Sequence, residues 1–387
     1  MSEGRDGKVG NYWLSQQLRI FAEAVESGRF LGNVWSWGRW LTVCLTWLYG
    51  AALFLLCLAM QWVGERNVTT VFFLYLPPLI WFLPFAPLVM MGGLFHRGSL
   101  LVQGAILALA VWTWLGFHWQ AEKPVIGASG DILTVMTYNR GQNMNQSLQP
   151  FKNTNHPDVL VFQEAGGRAG GFLRSPDYAE FEYGVSIGEF TLLSRYPIKA
   201  NSLIKEAGSD RPARVARFVI DWNGRSVSIY AVHLMTPRDV LRSYMRGAFL
   251  WGVLGVPGTP WAEKRRYYQS FWDGQIADAK AILDEVRSDS NTCIVAGDFN
   301  APQTGYLHRM VTRELKDAHA AAGNGFGFTF PGVTRNPLSL GGPWMRIDYI
   351  FYDRQWEALE CVTERDRPSQ HRAVVAKLRL TSGAQLK

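Results

Sequence analysis

Three stretches of this chain hold no charged residue: residues 41–64, 67–95 and 98–121. Each exceeds the ~20 residues that a helix needs to cross the hydrocarbon of a bilayer. Trp40, Trp62 and Trp119 stand near the run ends, where an amphipathic ring prefers the interface. The pattern predicts about three transmembrane helices within residues 40–121, after an N-terminal tail of residues 1–39. Pro77, Pro78, Pro84 and Pro87 fall in the middle run and predict a kinked or broken span there. Three such runs in series argue against a buried core helix. The first begins too deep in the chain, without a small-residue cleavage site, for a secretory signal. Within the tail, Leu14, Leu18, Phe21 and Val25 recur at helical spacing. That spacing fits a helix lying on the membrane surface or an ordinary cytosolic helix.

After Lys123 the period changes. Short β-branched runs at 132–138, 159–162, 190–193, 217–220, 226–233, 292–296 and 347–352 predict strands. Phe271, Ile276, Ala279, Ile282 and Leu283 mark the apolar face of a helix over 267–286. Many strands with few helices predict that residues 122–387 form one domain, two packed sheets flanked by helices.

Composition adds three constraints. The 387 residues carry 39 Lys and Arg against 32 Asp and Glu, and the 16 Trp and four Cys exclude disordered and disulfide-scaffold classes. No Cys-x-x-Cys pair offers a zinc or redox site. Beyond Lys123 the net charge is +5, too weak by itself to imply nucleic acid. Arg5, Lys8, Arg19, Arg29, Arg39 and Arg97 outweigh Arg66 and Lys123 on the opposite side of the predicted spans. Positive-inside counting then puts the N-terminus in the cytoplasm and the domain after residue 122 outside it.

The chemistry lies where apolar strands end in polar residues. Asn139 ends one such run, Gln163-Glu164 a second and His233 a third. Asp298 and Asn300 end a fourth, Asp348 lies in a fifth, and His371 precedes the last. Taken singly, an Asn or Asp at a strand end makes a turn, and a His there is a surface residue. Taken together, Glu164, Asp298 and Asp348 offer oxygen donors suited to Mg²⁺, while two His supply acid and base capacity near neutrality.

In their order along residues 132–380, these motifs resemble the endonuclease/exonuclease/phosphatase superfamily. They read TYN at Asn139, FQE at Glu164, LLSRYPI at 192–198, VHL at His233, GDFN at Asp298 and Asn300, RIDYIF at Asp348 and SQHRAV at His371. Deoxyribonuclease I, apurinic endonucleases, inositol polyphosphate phosphatases and neutral sphingomyelinases belong to that superfamily. The resemblance implies a four-layer α/β sandwich and metal-dependent hydrolysis of phosphate esters. It implies that Glu164 and Asn139 hold Mg²⁺ (or Mn²⁺) and that Asp298 positions or deprotonates the attacking water. Asn300 would donate to a non-bridging oxygen, and Asp348 would orient His371 toward the phosphate. His233 would protonate the leaving oxygen, as in the deoxyribonuclease I and sphingomyelinase branches. One departure stands out: the last family motif reads Ser-Asp-His, and here Gln370 replaces its acid.

A substrate clue follows His233. Arg238, Arg242 and Arg246 lead into an apolar segment over 247–261 containing Trp251 and Trp261, and Lys264, Arg265 and Arg266 follow. The segment is too short to span a bilayer and is flanked by cations, which suits contact with lipid headgroups. Packing on the protein's own spans is the competing expectation. The lipid bilayer and a membrane phosphodiester are therefore the favoured partners. An anchored extracytoplasmic nuclease using Arg168, Arg174, Arg211, Arg214 and Arg217, and a non-catalytic scaffold, are the alternatives.

Overall fold

The computed structural model describes residues 16–17, 19–20, 23, 25, 27–120, 132–141, 147–204, 213–243, 247, 250–332 and 341–381. The chain divides into two compact units, Met1–Leu55 with Leu79–Ala110, and Leu56–Pro78 with Val111–Lys387.

The first unit is helical. It holds most of α1 (Arg29–Trp62), then α3 (Leu79–Phe82), α4 (Phe85–Phe95) and α5 (Gly98–Thr113), with α2 (Val68–Leu74) falling in the second unit. Gln103 ties three of these helices: its amide donates to Thr46 Oγ1 at 2.9 Å and to the Leu88 carbonyl at 3.0 Å.

Three predicted spans become fewer. Among the described residues, Gly32–Trp62 alone is long and apolar enough to cross a bilayer. The Pro-rich run folds as Val68–Leu74 and Leu79–Phe95, bent by 78°, and is a span only if both pieces count as one. The cause lies in Pro77 and Pro78, which break the helix, and in α2, whose Val68 and Val71 are buried with Trp272 of the second unit. The third run yields only the 16 residues of α5. At 1.5 Å per residue that is about 24 Å, short of the ~30 Å hydrocarbon thickness. Of the predicted tail helix, residues 16, 17, 19, 20, 23 and 25 are helical, whereas Leu14, Leu18 and Phe21, like Arg211, Arg246 and Lys123, lie outside the described residues.

The second unit is the expected sandwich. Its strands are β1 (Ile132–Asn139), β2 (Val159–Gln163), β3 (Tyr183–Ile187), β4 (Phe190–Ser194), β5 (Ile198–Ile204) and β6 (Val215–Trp222). They continue with β7 (Arg225–His233), β8 (Thr292–Asp298), β9 (Lys316–Asp317), β10 (Asp348–Tyr352), β11 (Trp356–Thr363) and β12 (Val374–Leu380). One sheet runs β11-β12-β1-β2-β4-β3 and the other β5-β6-β7-β8-β10-β9.

Strand alternation produces the layers, because successive side chains point to opposite faces. Leu133 and Val135 of β1 and Ile294 and Ala296 of β8 enter the core between the sheets. Met136 and Leu160 face outward under Phe172 of α7 (Ala169–Leu173), reached after α6 (Phe151–Asn155). On the other sheet, Val232, Cys293 and Val295 face outward under Ala279, Ile282 and Leu283 of the long helix Ala262–Ser288. That helix is α10, after α8 (Arg238–Ser243) and α9 (Leu250–Leu254); α11 (Tyr306–Thr312) and α12 (Ala318–Ala322) follow β8. Sheets with helices outside both make four layers.

Each sheet contains one parallel pair, β1 with β2 and β7 with β8. A parallel pair needs a crossover, here α6 in one sheet and α8–α10 in the other, and its strands then end on the same side. Polar residues placed at those ends collect in one place.

Candidate active site

Register brings the predicted residues into line. Asn139 pairs with Gln163 at the ends of β1 and β2, so Glu164 emerges beside Asn139. His233 pairs with Asp298 at the ends of β7 and β8, and Asp348 pairs with Asp298 from β10. His371 lies three residues before β12, the other neighbour of β1. All seven are described, and six form one hydrogen-bonded or ion-paired constellation around Asp298.

Asp298 is fully buried and is the hub. Its Oδ2 accepts from Asn139 Nδ2 at 2.8 Å and lies 3.8 Å from both His233 Nε2 and His371 Nε2. Its Oδ1 accepts from the Asn300 backbone N–H at 2.8 Å. His371 Nδ1 is 3.1 Å from Asp348 Oδ2. His233 Nε2 stands 3.9 Å from Glu164 Oε1. The Asn300 side chain donates to the Leu234 carbonyl at 2.9 Å, and Asn139 Oδ1 accepts from Gly141 N–H. Both Asn side chains are thus engaged within the protein.

Two backbones are strained at this site. Glu164 has φ 53° and Asn300 has φ 47°, the left-handed region that costs a residue with a Cβ about 1–2 kcal/mol. Such strain gathers where surrounding structure over-determines a functional geometry.

The charges explain one another. Burial raises the Asp298 carboxyl and so does the adjacent Asp348, against His371, His233 and Asn139. Burial opposes charge on His371, yet Asp348 and Asp298 outweigh it and lift the imidazole to about 9. Burial likewise opposes charge on His233, but its hydrogen bond to Glu189 and the nearby Asp298 and Glu164 hold it above its ordinary value. His371 is therefore cationic at neutral pH, and the surrounding carboxylates bias His233 toward its charged form.

Metal fit follows from the donors. Asp298, Asp348 and His371 bring one ligand atom each within 4.8 Å of one another. Glu164 adds a carboxylate whose side chain is 35% exposed and so open to a hydrated ion. Oxygen donors without a Cys/His cluster among them suit a hard divalent cation.

Two features escape the sequence. Glu189 Oε2 accepts from His233 Nδ1 at 2.9 Å, and Arg214 lies 3.5 Å from Glu189 Oε1. A Gly-Glu pair between two short strands reads as a plain hairpin turn, so nothing in the pattern marks Glu189. The second is a cavity of about 490 Å³ lined by Arg140, Arg168, Arg174, Asp177 and Tyr178. Arg168 and Arg174 are among the cations the sequence offers for a nucleic-acid phosphate; Arg140, adjoining Asn139, is not.

The basic-apolar segment after His233 divides. Arg242 and Trp261 are exposed, as are Leu250, Val253, Leu254 and Val256. Trp251 is half-buried instead, 4.9 Å from the Tyr268 ring and packed on the cluster of Val68, Val71 and Trp272. Packing on the chain's own apolar run accounts for Trp251, and surface exposure for its neighbours.

Comparison with known proteins accords with this site. The sequence profile of the Endonuclease/Exonuclease/phosphatase family matches residues 73–371. No curated protein gives a match. Among solved structures, humanized D. rerio TDP2 is 11% identical, with 64% of this chain and 99% of that one covered and a TM-score of 0.44. The 3' phosphatase NExo from Neisseria is 15% identical, covering 63% and 98% with a TM-score of 0.43. A family protein from Leptotrichia buccalis is 15% identical, covering 64% and 100% with a TM-score of 0.44. Because the family profile spans well over half of the sequence, including every motif residue from Asn139 to His371, this chain belongs to the endonuclease/exonuclease/phosphatase family, and is a metal-dependent hydrolase of phosphate ester bonds.

Proposed function

We propose that the protein is a membrane-anchored, Mg²⁺-dependent phosphodiesterase acting on a membrane lipid. The observation that carries the catalytic reading is His233 Nε2. It is buried, has no hydrogen-bond partner among the described residues, and lies between Glu164 and Asp298. A buried donor left unpaired is costly, and a phosphate oxygen would satisfy it.

Glu164 is the main ligand for Mg²⁺, with Asn139 beside it and Mn²⁺ acceptable to the same oxygens. His371 is a poor ligand while protonated, which favours Glu164 over the Asp298–Asp348–His371 group as the primary holder. The ion supplies charge neutralisation at the phosphate and leaving oxygen. Asp298, its carboxyl lifted toward neutrality, takes a proton from the water whose oxygen attacks phosphorus. His233 gives its Nε2 proton to the leaving oxygen as the P–O bond breaks. Asp348 holds His371, and the imidazolium stabilises the charge that builds on the phosphoryl oxygens, while the Asn300 amide is committed to the Leu234 carbonyl.

Anchoring is supported by the first long helix. Only 17% of its apolar window is buried, whereas a core helix of a soluble protein would be mostly covered. Residues 40–121 then serve as the anchor region and 122–387 as the catalytic domain, with the N-terminus cytoplasmic and the catalytic domain outside. Exposed Leu250, Val253, Leu254, Val256 and Trp261, beside Arg242, Arg265 and Arg266, support a lipid surface as the place of work.

A second reading is an anchored nuclease. The cavity lined by Arg140, Arg168 and Arg174 favours it, because a strand would carry a further phosphate to those cations. The test offers phospholipid, sphingolipid and oligonucleotide to the full chain in nanodiscs with Mg²⁺, using Glu164→Ala as the blank. Lipid turnover absent from the blank supports the first reading, oligonucleotide turnover alone the second, and silence on all substrates leaves the scaffold.

A further inference from the structure

The loop from Asn300 to Leu307 carries an active-site residue at its first position and leads into α11. Three hydrogen bonds fix it from outside the sandwich strands. The Tyr75 hydroxyl donates to the Asn300 carbonyl at 2.6 Å. Gln303 Nε2 donates to the Leu115 carbonyl at 2.8 Å. Glu65 Oε2 accepts from the Leu307 N–H at 3.1 Å. Glu65 and Tyr75 belong to the segment that follows α1, and Leu115 to the segment that follows α5. Both segments join the sandwich to the helices of the other unit.

The approach at each point is too close for a side chain. A Cβ on Gly64 would lie 2.6 Å from Tyr306 N, and one on Gly116 would lie 2.2 Å from Gln303 Nε2. A Cβ on Gly305 would lie 2.4 Å from Glu65 Oε1. Gly64 and Gly116 also have positive φ, at 43° and 63°. Glu65 is fully buried, its backbone carbonyl accepts from Gln269, and Tyr75 rests on the buried Trp272 ring at 5.5 Å. The clasp is therefore continuous with the core.

We infer that the two juxtamembrane segments brace the Asn300–Leu307 loop, so that Tyr75, Glu65 and Gln303 are positioning residues of the phosphoesterase site. Asn300 sits in a left-handed conformation, and its N–H, side-chain amide and carbonyl are each tied, the last by Tyr75. Freeing the carbonyl releases the peptide that follows Asn300, and with it the left-handed conformation that holds the Asn300 N–H and side chain in place beside Asp298. The segments that follow α1 and α5 thus set the geometry of catalysis.

This inference rests on the proposed hydrolytic site, and two readouts keep the two apart. Tyr75→Phe removes one oxygen and leaves the ring on Trp272. In nanodiscs, with Mg²⁺ and bis(p-nitrophenyl) phosphate, kcat should fall about tenfold while KM and Tm hold. Glu65→Ala should lose activity similarly, and Glu65→Gln, which keeps an acceptor for Leu307 N–H, should restore it. Tyr183→Phe, on an outer strand, should match wild type. Independently of turnover, amide exchange over residues 299–307 should quicken about tenfold in Tyr75→Phe. Unchanged exchange with unchanged kcat, or a fall in Tm that accounts for the whole activity loss, overturns the brace. Wild type without turnover overturns the hydrolytic reading, and exchange alone then decides the brace.

Discussion

His233 Nδ1 and Glu189 Oε2 lie 2.9 Å apart, and this contact fixes which ring nitrogen faces the active site. With Nδ1–H committed to Glu189, Nε2 alone is turned toward Glu164 and Asp298. The pair also shifts charge. Glu189 raises the His233 pKa, while burial, which would lift Glu189, is outweighed by His233 and Arg214.

Glu189→Gln should therefore change the pH profile as well as the rate. Removing the carboxylate lowers the His233 pKa, and an acid is lost once pH exceeds its pKa. The alkaline limb of kcat should move to lower pH, with kcat about tenfold lower. Steady-state rates from pH 6 to 9 check this. A profile that keeps its position while its height falls would make Glu189 a purely orienting group.

Glu164→Ala should abolish Mg²⁺-dependent turnover by ~10³-fold or more, since one metal holder supplies several kcal/mol of charge stabilisation. Chelation of wild type should give the same residual rate, restored by Mg²⁺ or Mn²⁺. Activity persisting in Glu164→Ala at saturating metal would instead direct attention to Asp298, Asp348 and His371 as the ligands.

The site's legibility had a physical limit. Asn139, Glu164, His233, Asp298, Asp348 and His371 were readable because each ends or borders an apolar run, and runs of that kind become central strands. The seven predicted strands correspond to β1, β2, β4, β6, β7, β8 and β10. β5 and β3 were missed because they are exposed and carry polar residues such as Lys199, Asn201 and Ser186. Charges such as Glu357 and Lys377 interrupt β11 and β12. The Pro-rich apolar run misled for a different reason: Val68 and Val71 are buried by Trp272, and hydropathy cannot distinguish a lipid partner from a protein one. Glu189 and Tyr75 act through contacts over 44 and 225 residues of chain, which no local pattern encodes.

Gln370 stands where the family motif carries an acid, with its backbone carbonyl held by Gly332 N–H at 2.7 Å. Adding a carboxylate beside His371 should attract a divalent cation. Gln370→Asp should lower the Mg²⁺ concentration for half-maximal rate by about three- to tenfold, the ~1 kcal/mol of one added charge near an ion at effective ε ≈ 20, partly screened. Titrating the rate against Mg²⁺ checks it. No change would mean that this position does not sense the metal.

Glu65 gives a stability signature. Burial lifts its carboxyl to about 7, against an ordinary 4.5 in the unfolded chain. Between those values the folded state holds a proton that the unfolded state has lost, so stability falls as pH rises through the window and levels above it. The full change is about 3 kcal/mol. Glu65→Gln should remove that slope, and the difference between the two proteins cancels the contribution of Asp298. Denaturant unfolding in detergent from pH 4.5 to 8 measures it. Parallel curves for the two proteins would show that Glu65 stays ionised in the fold.

The exposed apolar residues of α9 make the lipid reading vulnerable to a single double substitution. Val253 is 59% exposed and Leu254 47%, and neither belongs to the cluster that holds Trp251. Burying two aliphatic side chains in an interface is worth about 2–4 kcal/mol, and charge there reverses the gain. Val253→Asp with Leu254→Asp should therefore cut turnover of vesicle lipid at least tenfold. Hydrolysis of a small soluble diester should be unaffected, because the Asp298 constellation is untouched. Under the proposed anchoring by α1 the enzyme stays on the bilayer in either case, so the assay reads engagement of the surface and not recruitment to it. Equal lipid turnover by the variant would remove α9 from substrate capture and leave the arginine-lined cavity as the stronger guide to the substrate.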